Sequence, residues 1–240
     1  MSRIVTVASG KGGVGKTWIA ATLAQALAER GEAVLLIDAD WGLANADVQL
    51  GVPDAPALPV TGSAADLAAA AVPVAGFHLL AGASGSGRLA DLAPPVLTRL
   101  GGEIRLLGER YDRVIVDLAS GAEAAVRRWW QLGDVRLLTL TPDPTSLTDA
   151  YALLKLCHRD GNAGAPLMVV NRAPSRAAGE ATAQRLARAA ASFLQLPVAT
   201  AAILLEDPRV VASIRAQRPF LAQHPTSPMA AAFRQLAASL

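Results

Sequence analysis

The eight residues GKGGVGKT, Gly10 to Thr17, constrain this chain more than any other stretch. They fit the pattern G-x-x-x-x-G-K-[ST]. The β-branched apolar run RIVTVAS (3–9) precedes them, and TWIAATLAQALAER (17–30), with helical spacing and a stop at Gly31, follows. A strand that turns through glycines into a helix points backbone N–H groups at an anion held on the positive end of the helix. Gly10, Gly12, Gly13 and Gly15 leave room for that turn, and Val14 and Trp18 are expected with them at the phosphate site. Lys16 stands where a side chain would neutralise the β and γ phosphates, and Thr17 where a hydroxyl would meet Mg2+. Lys11 comes five residues before Lys16, too early to share its task.

The rest of the chain alternates in the same way. AVLLID (33–38), FHLLAG (77–82), RVIVD (113–117), VRLLTLT (135–141) and APLMVVN (165–171) read as buried strands. Helices are expected over 145–160, 176–194, 207–217 and 226–240, and over 89–110 with a break at Pro94-Pro95. The segment 53–76, rich in Pro, Ala and Gly, reads as a surface excursion. Continuous apolar strands separated by helices predict an α/β fold: a doubly wound, mostly parallel sheet with helices on both faces. No linker or repeat divides residues 1–240, so a single domain is expected.

Composition narrows the chemistry. With 52% apolar residues and only 4% aromatics, the core must be largely aliphatic. Cys157 is the only cysteine, which excludes a disulfide framework or a cysteine-based metal site within one chain. His78, His158 and His224 are too scattered for a metal cluster. No apolar run approaches the roughly 20 residues of a spanning helix. The start runs directly into a strand without a signal-peptide pattern, so a cytoplasmic protein is the expectation. A net charge of +2 does not argue for nucleic acid, although Arg172, Arg176, Arg185 and Arg188 concentrate positive charge in the second half.

Two further stretches place carboxylates at strand ends: LLIDAD with Asp38 and Asp40, and VIVDLASG with Asp117. In an open parallel sheet such ends converge on the ligand crevice. Asp117 resembles a Walker B aspartate, which holds Mg2+ directly or through water.

The loop K-G-G-x-G-K-[ST] with its early lysine resembles the deviant Walker A motif of the MinD/ParA family of P-loop ATPases. The resemblance implies a Mg2+-dependent ATPase that pairs into an ATP-sandwich homodimer, in which Lys11 reaches the partner's nucleotide. It also implies that Asp40 orients or deprotonates the attacking water and that Asp38 binds Mg2+ through water. Gly121 would offer its N–H to the γ-phosphate, and the Asn171 amide would read adenine. Leu118 departs from the small residue usual in the second switch, which raises a non-hydrolysing scaffold as an alternative.

DADWGLANADVQLGV (38–52), GFHLLAGASGSGRLADL (76–92), TPDPTSLTDAYALLKL (141–156) and the tail 218–240 are similar to the FlhG/FleN branch of that family. The branch implies regulation of flagellum number or placement, with a protein partner at the flagellum or cell pole and peripheral association with the membrane or pole. A DNA- or cargo-partitioning ATPase is the alternative, and it is not favoured. The partner-activating role of the branch's N-terminal extension is not expected of this sequence, which begins two residues before its first strand. Met229, Phe233, Leu236 and Leu240 form a helical apolar stripe with one basic residue, Arg234, and are expected to pack in the core rather than anchor a membrane. Cys157 is expected to be a packed small apolar residue. Trp41 is expected to pack near the first switch. Adjacent tryptophans in RRWW (127–130) leave one free for a partner or dimer contact.

Overall fold

Side chains of successive strand residues point to opposite faces, and that alternation builds two cores in one sheet. In the computed structural model, which describes residues 3–40, 44–82, 93–161 and 164–240, Ile4 and Ala8 face one core while Val5 and Val7 face the other. Leu35 and Ile37 divide from Val34 and Leu36 in the same way. The strands are apolar on both sides because helices cover both sides.

The elements run β1 (Arg3–Ser9), α1 (Lys16–Ala28), β2 (Val34–Ala39), α2 (Ala46–Leu50), α3 (Ala64–Ala70), β3 (Val72–Val74) and β4 (Phe77–Leu80). They continue α4 (Pro94–Gly108), β5 (Arg113–Ser120), α5 (Ala124–Trp130), β6 (Val135–Leu140), α6 (Pro144–Arg159) and β7 (Leu167–Ala173). The chain closes with α7 (Arg176–Leu194), β8 (Ala199–Leu205), α8 (Pro208–Arg215), α9 (Phe220–Gln223) and α10 (Pro228–Ser239). The sheet order is β3-β4-β2-β5-β1-β6-β7-β8, and every neighbouring pair is parallel except β3 with β4. The strand order reverses around β1, so the glycine loop opens where a doubly wound sheet forms its crevice.

Four local expectations are revised. Pro94 and Pro95 do not break a helix but begin one, at positions where the missing N–H would be unbonded in any case. The excursion 53–76 carries α3, with a Ser63–Asp66 capping box, and the antiparallel strand β3, and it buries Leu58 and Leu67. Strand β8 was not anticipated, because four of its seven residues are alanine or threonine and carry little apolar signal. Trp129 and Trp130 are both buried, so neither is free for a partner. The short helix α5 packs against α4, α6 and the sheet, and both indoles belong to the same buried core.

The tail behaves as core. Met229, Phe233, Leu236 and Leu240 are buried, and α10 packs on α1 and β8. Cys157 is likewise buried. Among the described residues no helix is long and apolar enough to cross a membrane. Trp41 and residues 83–92 of the similarity segment lie outside the described residues.

Phe233 is fully buried and sits edge-on to Trp18 at 5.2 Å. Truncating a buried aromatic removes its transfer free energy and leaves a cavity. Phe233→Ala is therefore expected to lower unfolding stability by about 3–5 kcal/mol in denaturant titration. A loss below about 1 kcal/mol would mean that α10 does not belong to the core.

Candidate functional site

The glycine loop is shaped by what crowds it. A Cβ on Gly10 would lie 2.2 Å from the backbone carbonyl of Asp149 on α6, so only glycine lets β1 run that close. Gly13 and Gly15 have φ of 77° and 88°, in the left-handed region that favours glycine, and Gly15 caps α1. Beside Gly15, the Asn171 side-chain amide donates to the Val14 carbonyl at 2.8 Å, tying the end of β7 to the loop.

Lys16 and Asp117 meet inside this frame. Lys16 Nζ lies 2.7 Å from Asp117 Oδ1, with 5% and 0% of the two side chains exposed. Burial pushes the Asp117 carboxyl above its ordinary value, and the Lys16 ammonium pulls it back. Asp117 Oδ2 carries no hydrogen bond of normal geometry among the described residues, although the Thr17 hydroxyl lies near enough to draw its pKa down. A spare buried carboxylate oxygen beside a threonine hydroxyl suits a hard divalent cation such as Mg2+. Among the described residues no group of three or more His, Cys, Asp or Glu could hold a metal. Mg2+ does not need one, because it commonly keeps waters and uses one or two carboxylates with substrate phosphates.

Asp38 pairs in register with Asp117 across β2 and β5. Its Oδ1 accepts the N–H of Asp40, and its Oδ2 accepts those of Asn45 and Ala46, each at 3.0 Å. Burial, with the Asp117 charge second, pushes the Asp38 carboxyl up to about 6. In this structure Asp38 therefore holds the start of α2 in place. Gly82 makes room for this arrangement, since a Cβ there would sit 2.6 Å from Ala44 and 2.8 Å from the Asp38 carbonyl.

Two contiguous clefts open from the loop. One, of about 240 Å³, is lined by the glycine loop with Lys16, Thr17, Asp40, Asn45 and Ser120. The other, of about 690 Å³, runs along Gly15, Trp18, Asn171, Arg172, Asp207 and Ile214. The first has the donors of a phosphate site. The second has the size and mixed lining of a nucleoside site.

The expected residues therefore gather in one place, with two qualifications. The Gly121 N–H donates to the Ser9 carbonyl at 2.9 Å, so that bond must open before it can serve a phosphate. Lys11 points away from its own site: its Nζ donates to the Thr145 hydroxyl at 2.6 Å on the exposed surface. Sequence reasoning missed Ser120 and Asn45, and did not place Arg172 or the expected helix 207–217, here α8, on the wall of the cleft. Arg172 adopts φ 53°, a strained value for a non-glycine residue, at the mouth of the nucleoside cleft. The Asp207-Pro208 start of α8, in which the Asp207 side chain caps the helix, was the one legible signal for that wall.

Known proteins resemble this chain in sequence and fold. The family pattern described as the CobQ/CobB/MinD/ParA nucleotide binding domain matches residues 5–220. The antiactivator FleN of Pseudomonas aeruginosa is 31% identical over 98% of this chain and 85% of its own length. The flagellum site-determining protein YlxH of Helicobacter pylori is 32% identical over 79% of this chain and 64% of its own. The septum site-determining protein MinD of Pyrococcus horikoshii, solved with Mg-ADP, superposes with a TM-score of 0.81 at 28% identity, covering 100% of this chain and 96% of that one.

Gly15→Ala would force a Cβ to 2.5 Å from Asn171 Nδ2 at a φ of 88°. Fluorescent-nucleotide titration should show a loss of affinity of at least about tenfold, one strained contact's worth. Unchanged affinity would place the nucleotide elsewhere.

Proposed function

The chain belongs to the CobQ/CobB/MinD/ParA nucleotide-binding ATPase family, and from that premise we propose that it is a Mg2+-dependent ATPase acting as an ATP-driven dimeric switch in spatial regulation, specifically of flagellum number or placement. One observation carries the reading: Lys16, paired with buried Asp117, lines a phosphate cleft, while the Lys11 side chain is exposed and turned to Thr145, outside that cleft. Mg-ADP in the P. horikoshii relative and the flagellar role named for YlxH support nucleotide and process respectively.

The residues divide the work. The loop N–H groups and the end of α1 bind phosphate oxygens, and Lys16 shares its charge between phosphate and Asp117. Thr17 and Asp117 would hold Mg2+, with Asp38 contributing through water; the ion would offset charge developing on the phosphates. Asp40, half-buried and lining the cleft, would take a proton from an attacking water. Gly121 would turn its N–H from Ser9 to the γ-phosphate. Asn171 would trade its Val14 bond for the adenine edge. Lys11 would leave Thr145 and donate to the nucleotide of a second copy, as an arginine finger does in trans.

Two variants separate these roles. Asp40→Ala should bind ATP within about threefold of wild type yet hydrolyse it at least about 100-fold more slowly, the usual contribution of a general base. Lys11→Ala should stay monomeric by light scattering with a non-hydrolysable ATP analogue and Mg2+, where the wild type becomes a dimer. A wild type that remains monomeric, or a Lys11→Ala variant that dimerises and hydrolyses normally, overturns the switch.

A further inference from the structure

Two buried polar atoms without a hydrogen-bond partner among the described residues belong to side chains that line one small cavity. Trp18 Nε1 on α1 is a donor, and Gln49 Oε1 on α2 is an acceptor. The cavity measures about 10 Å³. That is close to the least volume that holds one water, and a buried water needs polar partners of both kinds. Arg218, exposed to solvent, also lines the cavity, while three buried polar side chains there hold bonds elsewhere. The Thr22 hydroxyl donates to the Trp18 carbonyl, Gln25 Oε1 accepts from the Leu221 N–H, and the Ser213 hydroxyl donates to the Val210 carbonyl.

We propose that Trp18 and Gln49 are a positioning pair, joined through a single water in this cavity, that ties α2 to the phosphate-loop helix α1. The Gln49 amide is oriented for this, because its Nε2 donates to Asn45 Oδ1 at 2.6 Å and so turns its oxygen away from Asn45. The Asn45 N–H in turn donates to Asp38 at 3.0 Å. A continuous polar chain thus runs from Asp38 through Asn45, Gln49 and the water to Trp18. The Trp18 ring also meets Phe220 and Phe233 edge-on, at 5.5 and 5.2 Å. A shift of α2 at the phosphate cleft is therefore felt in α9 and α10. That last consequence rests on the nucleotide-switch reading; the pair itself does not.

The test uses the full chain, first without nucleotide. Four tryptophans give four indole N–H resonances in a 15N-labelled sample, and Trp18→Phe removes and so assigns one. Gln49→Met should move that one resonance and leave the other three in place. If Trp18→Phe does not fold, the movement of a single indole peak in Gln49→Met remains the readout. Amide exchange over residues 45–51 should quicken about tenfold in either variant, one hydrogen bond's worth, and no further in the double variant. A stationary Trp18 resonance, or exchange effects that multiply in the double variant, overturns the pair. Adding Mg-ADP should then shift the backbone amides of α9 and α10 in wild type more than in Gln49→Met. If no resonance anywhere responds to Mg-ADP, the nucleotide reading fails while the apo measurements still decide the pair.

Discussion

A lysine ammonium and a carboxylate, 2.7 Å apart and almost sealed from water, set the terms for the rest of this molecule. Burying two charges is costly, and removing either partner would leave the other uncompensated. The fold meets that demand from both sides. Strands β1 and β5 pair in parallel register up to Val7 and Asp117, and the glycine loop lifts Lys16 over the end of β5. Asn171 then braces the loop at Val14 from β7. What results is a positive charge held in place, beside a carboxylate oxygen with no hydrogen bond of normal geometry among the described residues.

The other carboxylates are distinguished by surroundings rather than by residue type. Asp38 is enclosed and spends both oxygens on backbone N–H groups, so it acts on the chain itself. Asp40, two residues on, sits half-buried at the edge of the phosphate cleft. Three aspartates at neighbouring strand ends thus come to serve charge pairing, loop placement and access to the ligand. The Asp38 side chain holds the backbone at Asp40 and again at Asn45 and Ala46.

Much of this was legible beforehand because it depends on short-range rules. The strand–glycine–helix sequence of residues 3–30 is self-contained, and the buried strands declare themselves by uninterrupted Val, Ile and Leu. Asp38 and Asp117 were legible as strand ends because parallel sheets gather those ends together. What escaped notice depends on long-range packing. Strand β8 is too rich in alanine to stand out, and α8 forms a wall only because β8 precedes it. RRWW was misleading because the rule that adjacent residues diverge around a helix does not reveal that α5 is enclosed by α4, α6 and the sheet. Asn45 and Gln49 lie four residues apart on and beside a five-residue helix, and nothing in their spacing announces a polar chain.

The central claim is that the buried Lys16 ammonium is shared between Asp117 and a nucleotide phosphate. Calorimetric titration of Mg-ADP into wild type and Lys16→Met tests it most directly, with circular dichroism confirming that the variant is folded. The account predicts one nucleotide per chain for wild type and no measurable heat of binding for folded Lys16→Met. Equal affinity in the two proteins would contradict it.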